Sequence, residues 1–213
     1  MENNFDHSRR LTRIVIILSA VIAILSVYVL LTNDLPSKPL AGQGSTVKDE
    51  TLIGGDFTLT DQDGNLFNSD RMKGRLSLVY FGFTFCPDIC PTSLSKLSNV
   101  ITTLDKYQID VLPIFITIDP KRDTTAFLKE FLGHFHPKLI GLTGSEEQIK
   151  KVAELYKVYY AVSEKDTTDS DKYMLDHSSF IYLMDKNGKY MKHFYMSSTP
   201  DEIIEYIRIN NKI

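Results

Sequence analysis

The spacing of hydrophobic and polar residues changes several times along the chain, and each change marks an element. Ile14 to Leu31 (IVIILSAVIAILSVYVLL) is a run of 18 residues without a charge. At helical rise it covers about 27 Å, near the thickness of a bilayer's hydrocarbon core. Asp34 to Lys48 is rich in Pro, Gly and Ser and has almost nothing to bury. It reads as a tether of at most about 50 Å. Asp56-Phe57-Thr58-Leu59-Thr60 then alternates, Asp61-Gln62-Asp63-Gly64 turns and Leu66-Phe67 resumes, which predicts a hairpin. Leu76 to Phe85 (LSLVYFGFTF) is β-branched and aromatic, as suits a buried central strand.

Cys86-Pro87-Asp88-Ile89-Cys90-Pro91 interrupts that run, and Leu94, Leu97, Ile101 and Leu104 follow at helical steps. Asp110 to Ile118 predicts the next buried strand, closed by Asp119-Pro120. Asp123 is placed to cap a helix through about His134, with Phe127, Phe131 and Phe135 on one side. Leu139 to Thr143 is a short strand, and Ser145-x-x-Gln148 is a capping box for a helix to about Val158. Residues 163–175 are polar and read as a loop. Ser179 to Met184 and Tyr190 to Tyr195 flank a Gly turn as a second hairpin, and Thr199-Pro200-Asp201-Glu202 opens the last helix. The order predicts an α/β, thioredoxin-like fold, a central mixed sheet flanked by helices, with an N-terminal transmembrane helix. Residues 1–13 are then a short cytoplasmic N-terminus, 14–32 the anchor, 33–48 the linker and 49–213 the folded domain.

Composition narrows the function classes. Lys+Arg number 24 against 27 Asp+Glu, a net charge of -3, so no basic footprint for nucleic acid exists. Hydrophobic residues make up 43%, an ordinary globular share. Arg9, Arg10 and Arg13 precede the apolar run, whereas only Asp34 and Lys38 closely follow it. The basic flank stays in the cytoplasm and sends the domain across the membrane. Glu2 and Asp6 argue against a mitochondrial transit peptide, and the run is too long for a signal peptide. A bacterial inner-membrane, single-pass protein facing the periplasm is the expectation.

Two cysteines are too few for a disulfide framework. Cys86 and Cys90 stand four apart where a strand meets a helix. If the second lies in the first helical turn, the two sulfurs face one way. Helix N-terminal amides favour a thiolate there. Such a pair can form a disulfide or grip a soft metal, and the same spacing also suits two buried cysteines or a plain structural disulfide. Two thiolates alone leave Cu(I) and zinc both open, so a third ligand decides more. Of five histidines, His7 falls on the cytoplasmic side of the anchor, and His134, His136 and His193 read as surface or packing residues. His177, in Leu175-Asp176-His177-Ser178-Ser179, starts a strand expected beside the central one, facing the cysteine loop. Asp176 and Asp119 are candidates to orient its imidazole.

Phe81 to Pro91, Phe115-Ile116-Thr117-Ile118-Asp119-Pro120-Lys121-Arg122-Asp123-Thr124, Gly141-Leu142-Thr143-Gly144 and Asp176 to Asp185 resemble the Sco/SenC family. The resemblance implies a membrane-tethered copper chaperone that assembles the binuclear copper-A centre in subunit II of cytochrome c oxidase. It implies one copper, Cu(I) or Cu(II), held by Cys86, Cys90 and His177, with an upstream copper donor and a thiol reductant as further partners. The alternative is an enzyme, a thiol-disulfide oxidoreductase with Cys86 and Cys90 as its redox pair, that reduces the subunit's cysteines before copper arrives. Reductases of this fold use C-x-x-C, one residue shorter. A peroxidase would need Pro and Thr where the chain has Val79 and Phe83.

Overall fold

The computed structural model describes residues 16–28, 53–163 and 173–210. The chain divides into two units, Met1–Lys48 and Asp49–Ile213. In the first, residues 16–28 are helical (α1) with their side chains exposed. No helix among the described residues is long and apolar enough to cross a membrane. The rest of the expected span and the tether lie outside the described residues.

The second unit is built on a seven-stranded sheet in the order β2-β1-β5-β4-β3-β8-β9. Its strands are β1 (Thr58–Asp61), β2 (Leu66–Asn68), β3 (Leu76–Gly82), β4 (Val111–Thr117), β5 (Ile140–Thr143), β8 (Ile181–Met184) and β9 (Tyr190–Phe194). β3 runs parallel to β4 and antiparallel to β8, so the sheet is mixed, as expected. All seven residues of β3 and of β4 are buried, which is why both read as near-continuous apolar runs.

The helices are α2 (Ile89–Lys106), α3 (Thr125–Leu132), α4 (Glu146–Leu155) and α5 (Pro200–Asn210). Leu94, Leu97, Ile101 and Leu104 of α2 are all buried. Phe115 of β4 meets Tyr80 of β3 on one face of the sheet, and Phe131 of α3 closes over it. On the other face Phe81 packs on Tyr156, just beyond α4. The Ser145–Gln148 capping box is present in both directions.

Three expectations change. Asp123 does not cap α3: Thr124 does, accepting from the Phe127 N–H, while Asp123 is buried and serves the loop described below. The α4 helix stops at Leu155, because Tyr156 and Lys157 bend the chain, Lys157 at a φ of 56°. The segment read as a loop is flanked by a two-stranded ribbon, β6 (Tyr160–Val162) with β7 (Leu175–His177), and residues 164–172 between them lie outside the described residues. His177 therefore belongs to this ribbon and not to the start of β8.

The start of α2 lies hard against the end of β3. A Cβ on Gly82 would stand 2.8 Å from Cys90 Sγ and 3.1 Å from both the Phe115 and Tyr80 rings. All three neighbours are fully buried, so none has room to yield. Gly82→Ala should therefore destabilise the domain by about 1–3 kcal/mol, the range for overpacking. Chemical denaturation of the reduced protein measures this, and an unchanged midpoint would show that the helix can lift off the strand at no cost.

Candidate functional site

The cysteine loop begins where β3 is turned aside. The Thr84 N–H and hydroxyl both donate to the Asp123 carboxylate, at 3.1 and 2.5 Å, and the Thr117 hydroxyl donates at 2.6 Å. Burial pushes the Asp123 pKa up, and these three donors oppose it. The tie ends the strand at Gly82, so the apolar run to Phe85 is strand only in part. The Cys86 N–H then donates to the Phe83 carbonyl at 3.3 Å, closing a turn.

At the head of α2 a sulfur takes the place usually held by a capping oxygen. Asp88, the N-cap residue, makes no side-chain cap bond. The Cys90 N–H donates instead to Cys86 Sγ at 3.4 Å. Pro91, the third helical residue, has no N–H to satisfy. The Asp88 and Ile89 amides also act on the Cys86 sulfur. Three amides and the helix dipole converge on one atom, which is the arrangement that favours an anion.

The two thiols divide accordingly. Donation from the Cys90 thiol is the largest influence on Cys86, and with the amides it draws that pKa down to about 5 against the opposing effect of burial. The same bond and burial push the Cys90 thiol far up. Cys86 is thus the thiolate and Cys90 carries the proton, even though both side chains are largely buried.

His177 reaches the pair from the ribbon, where it lies opposite Tyr160. Its Nδ1–H donates to the Ser178 carbonyl at 3.0 Å. A carbonyl only accepts, so Nε2 keeps its lone pair, and it faces Cys90 Sγ at 3.8 Å. Tyr80 and Phe83 meet the imidazole edge-on, at centroid distances of 6.5 and 6.0 Å. Burial lowers the His177 pKa, the Ser178 carbonyl opposing, which keeps the ring neutral and ligand-ready. Cys86 and His177 line one cleft of about 360 Å³ together with Phe83, Pro87 and Met174.

Neither expected carboxylate orients the imidazole. Asp176 is exposed, and Asp119 accepts from Arg122 Nε at 2.5 Å and from the Tyr173 hydroxyl at 2.6 Å. The Ser178 carbonyl holds the ring instead, a partner no side-chain pattern announces. The other described histidines stand apart. His136 Nδ1 accepts from the Lys138 N–H at 3.2 Å, His193 packs against Phe180 with the rings tilted and 4.8 Å apart, and His134 borders a groove with Phe127 and Phe131. His7 lies outside the described residues. Tyr80 and Phe83 were not singled out in the sequence, although alternation along β3 puts Tyr80 and Gly82 on the face that meets α2. Among the described residues no three His, Cys, Asp or Glu side chains are already drawn together as a metal site. The Cys86 sulfur faces the helix amides.

Comparison with known proteins bears on the whole folded unit. A profile of the SCO1/SenC family matches residues 45–210. An SCO2-like protein of Rickettsia felis is 58% identical over 198 residues, 93% of this chain and 96% of that one. The crystal structure of Arabidopsis thaliana ScoI with copper bound superimposes with a TM-score of 0.70 at 40% identity, over 75% of this chain and 98% of that one. BsSco, a member of the Sco family of cytochrome c oxidase assembly proteins in which a disulfide switch was identified, does so with a TM-score of 0.59 at 28% identity, over 77% and 96%. The matched span contains the cysteine pair at the head of α2, the distant histidine and the sheet that joins them: the chain belongs to the SCO1/SenC family.

Proposed function

We propose that this chain is a membrane-anchored copper chaperone for the copper-A centre in subunit II of cytochrome c oxidase, holding copper through Cys86, Cys90 and His177. The observation that carries the reading is the 3.8 Å separation of Cys90 Sγ and His177 Nε2. Ligand bonds of about 2.3 Å to sulfur and 2.0 Å to nitrogen, meeting at a trigonal angle, place the two ligand atoms about 3.7 Å apart. His177 already has the tautomer a metal needs. Cys86 is already a thiolate, on the same cleft. Two thiolates and one imidazole suit Cu(I) and tolerate Cu(II).

Loading requires two movements of this chain's own atoms. The Cys86 sulfur leaves the amides of α2, and Cys90 gives up its proton. A site of three ligands facing a cleft leaves a side free for a partner's ligands, which a closed four-ligand site would not. Copper-bound Arabidopsis ScoI and the cytochrome oxidase assembly role of the BsSco family support this assignment. The charge asymmetry around residues 14–32 supports an anchor with the N-terminus in the cytoplasm and the domain in the periplasm of a bacterial inner membrane. In that oxidising compartment a Cys86–Cys90 disulfide would exclude the metal, so a thiol reductant and a copper donor are further partners.

The division of the thiols also favours a second reading, thiol-disulfide reduction. The Cys86 thiolate would attack a disulfide of the partner and release one partner thiolate. Cys90, once deprotonated, would then attack Cys86 Sγ in the mixed disulfide. The products are a partner dithiol and a Cys86–Cys90 disulfide, with two electrons passed to the partner.

Copper-loaded protein mixed with apo subunit II whose cysteines are already reduced should form the copper-A chromophore. Activity confined to the oxidised subunit would instead establish the reductase. Replacing the imidazole separates the oxidation states: His177→Ala should weaken Cu(II) binding at least tenfold and Cu(I) binding far less, since two thiolates still hold Cu(I). Anaerobic titration against competing chelators reads both affinities, and unchanged values for both would remove His177 from the site.

A further inference from the structure

Tyr80 is fully buried in the middle of the sheet, with Phe115 of β4 and Ile181 of β8 as its register partners. Strands on both sides fix where its ring can point. Its hydroxyl donates to Cys90 Sγ at 3.6 Å. Its ring meets the His177 imidazole edge-on. One side chain thus touches two of the three ligands proposed above, yet the copper reading gives it no part. Burial keeps the phenol protonated, so it remains a donor when the Cys90 sulfur becomes an anion. The Phe83 N–H acts on the same sulfur from the backbone, which places the Cys90 sulfur between two donors.

We propose that Tyr80 is a positioning residue which, through its O–H···S bond to Cys90, biases the bound copper toward Cu(I). The inference rests on the copper reading. A Cu(II)–thiolate bond draws more electron density from sulfur than a Cu(I)–thiolate bond does. A donor held against the sulfur stabilises the density where it lies, and so favours the reduced metal. Hydrogen bonding around a ligating sulfur is one of the levers by which proteins set metal potentials.

The test uses the full chain in detergent, reduced and loaded separately with Cu(I) and Cu(II), as wild type, Tyr80→Phe and Tyr182→Phe. Tyr182 is a buried tyrosine of β8 that packs on Phe81, away from the sulfurs. In Tyr80→Phe the sulfur-to-Cu(II) charge-transfer band should move to lower energy. The ratio of Cu(I) to Cu(II) affinity should fall about tenfold, the scale of one hydrogen bond to a charged group. Tyr182→Phe should superimpose on wild type. A wild-type band with Tyr80→Phe coincident in band and affinity ratio overturns the role of Tyr80 alone. A wild type that gives no sulfur-to-copper band overturns the copper reading, and the role of Tyr80 with it. Should Tyr80→Phe fail to fold, 3,5-difluorotyrosine at position 80 serves instead. It is a stronger donor of nearly the same size, and it should move the band to higher energy; coincidence with wild type again overturns the proposal.

Discussion

The pairing of two buried thiols at the head of α2, with the Cys90 N–H bonded to Cys86 Sγ, is the constraint on which the site depends. Two sulfurs this close and this buried do not both carry charge at low cost, so a single proton divides them. The helix decides which keeps it. Cys86 sits where the amides of Asp88, Ile89 and Cys90 act on it, and Cys90 lies deeper, against the sheet. The thiolate is therefore already present on Cys86, held against the amides of α2 at the margin of the cleft.

The rest of the domain holds that geometry. Gly82 lets α2 descend onto β3, because a Cβ there would press on the Cys90 sulfur at 2.8 Å. Asp123, reaching across from beyond β4, gathers Thr84 and Thr117 and so fixes where the strand ends and the loop begins. The β6–β7 ribbon brings His177 to Cys90 across a sequence separation of 87 residues. Arg122 lies over the Tyr173 ring at 3.7 Å while bonding Asp119, which ties the approach to β7 back to the sheet. A buried sheet thus holds a small, partly open cleft beyond the C-terminal end of its interior strand β3.

Much of this was legible in the sequence, for identifiable reasons. The strands β3 and β4 are buried on both faces and announce themselves as continuous apolar runs. The cysteines stand out because prolines beside each one mark a strand-to-helix turn. The histidine was found through the expected topology, although it lies in a ribbon that the polar stretch 163–175 concealed; strands of three residues carry no usable period. The partner of the imidazole was misread for a different reason. Asp176 and Asp119 are the conspicuous acids nearby, but a backbone carbonyl does the work, and backbone acceptors leave no mark in a sequence. Asp123 looked like a cap because it precedes a helix, and its burial against Thr84 depends on contacts 39 residues apart.

The claim that one proton is divided unequally can be measured without any metal. Fully reduced, metal-free protein is alkylated with iodoacetamide across a pH series, and each cysteine is followed by peptide mass spectrometry. Cys86 should react with a midpoint near pH 5, its rate falling as acid protonates the thiolate and levelling off above that value. Cys90 should stay unmodified throughout the series until the protein is unfolded. A Cys86 midpoint near about 8.5, the ordinary cysteine value, or modification of Cys90 ahead of Cys86, would contradict the account.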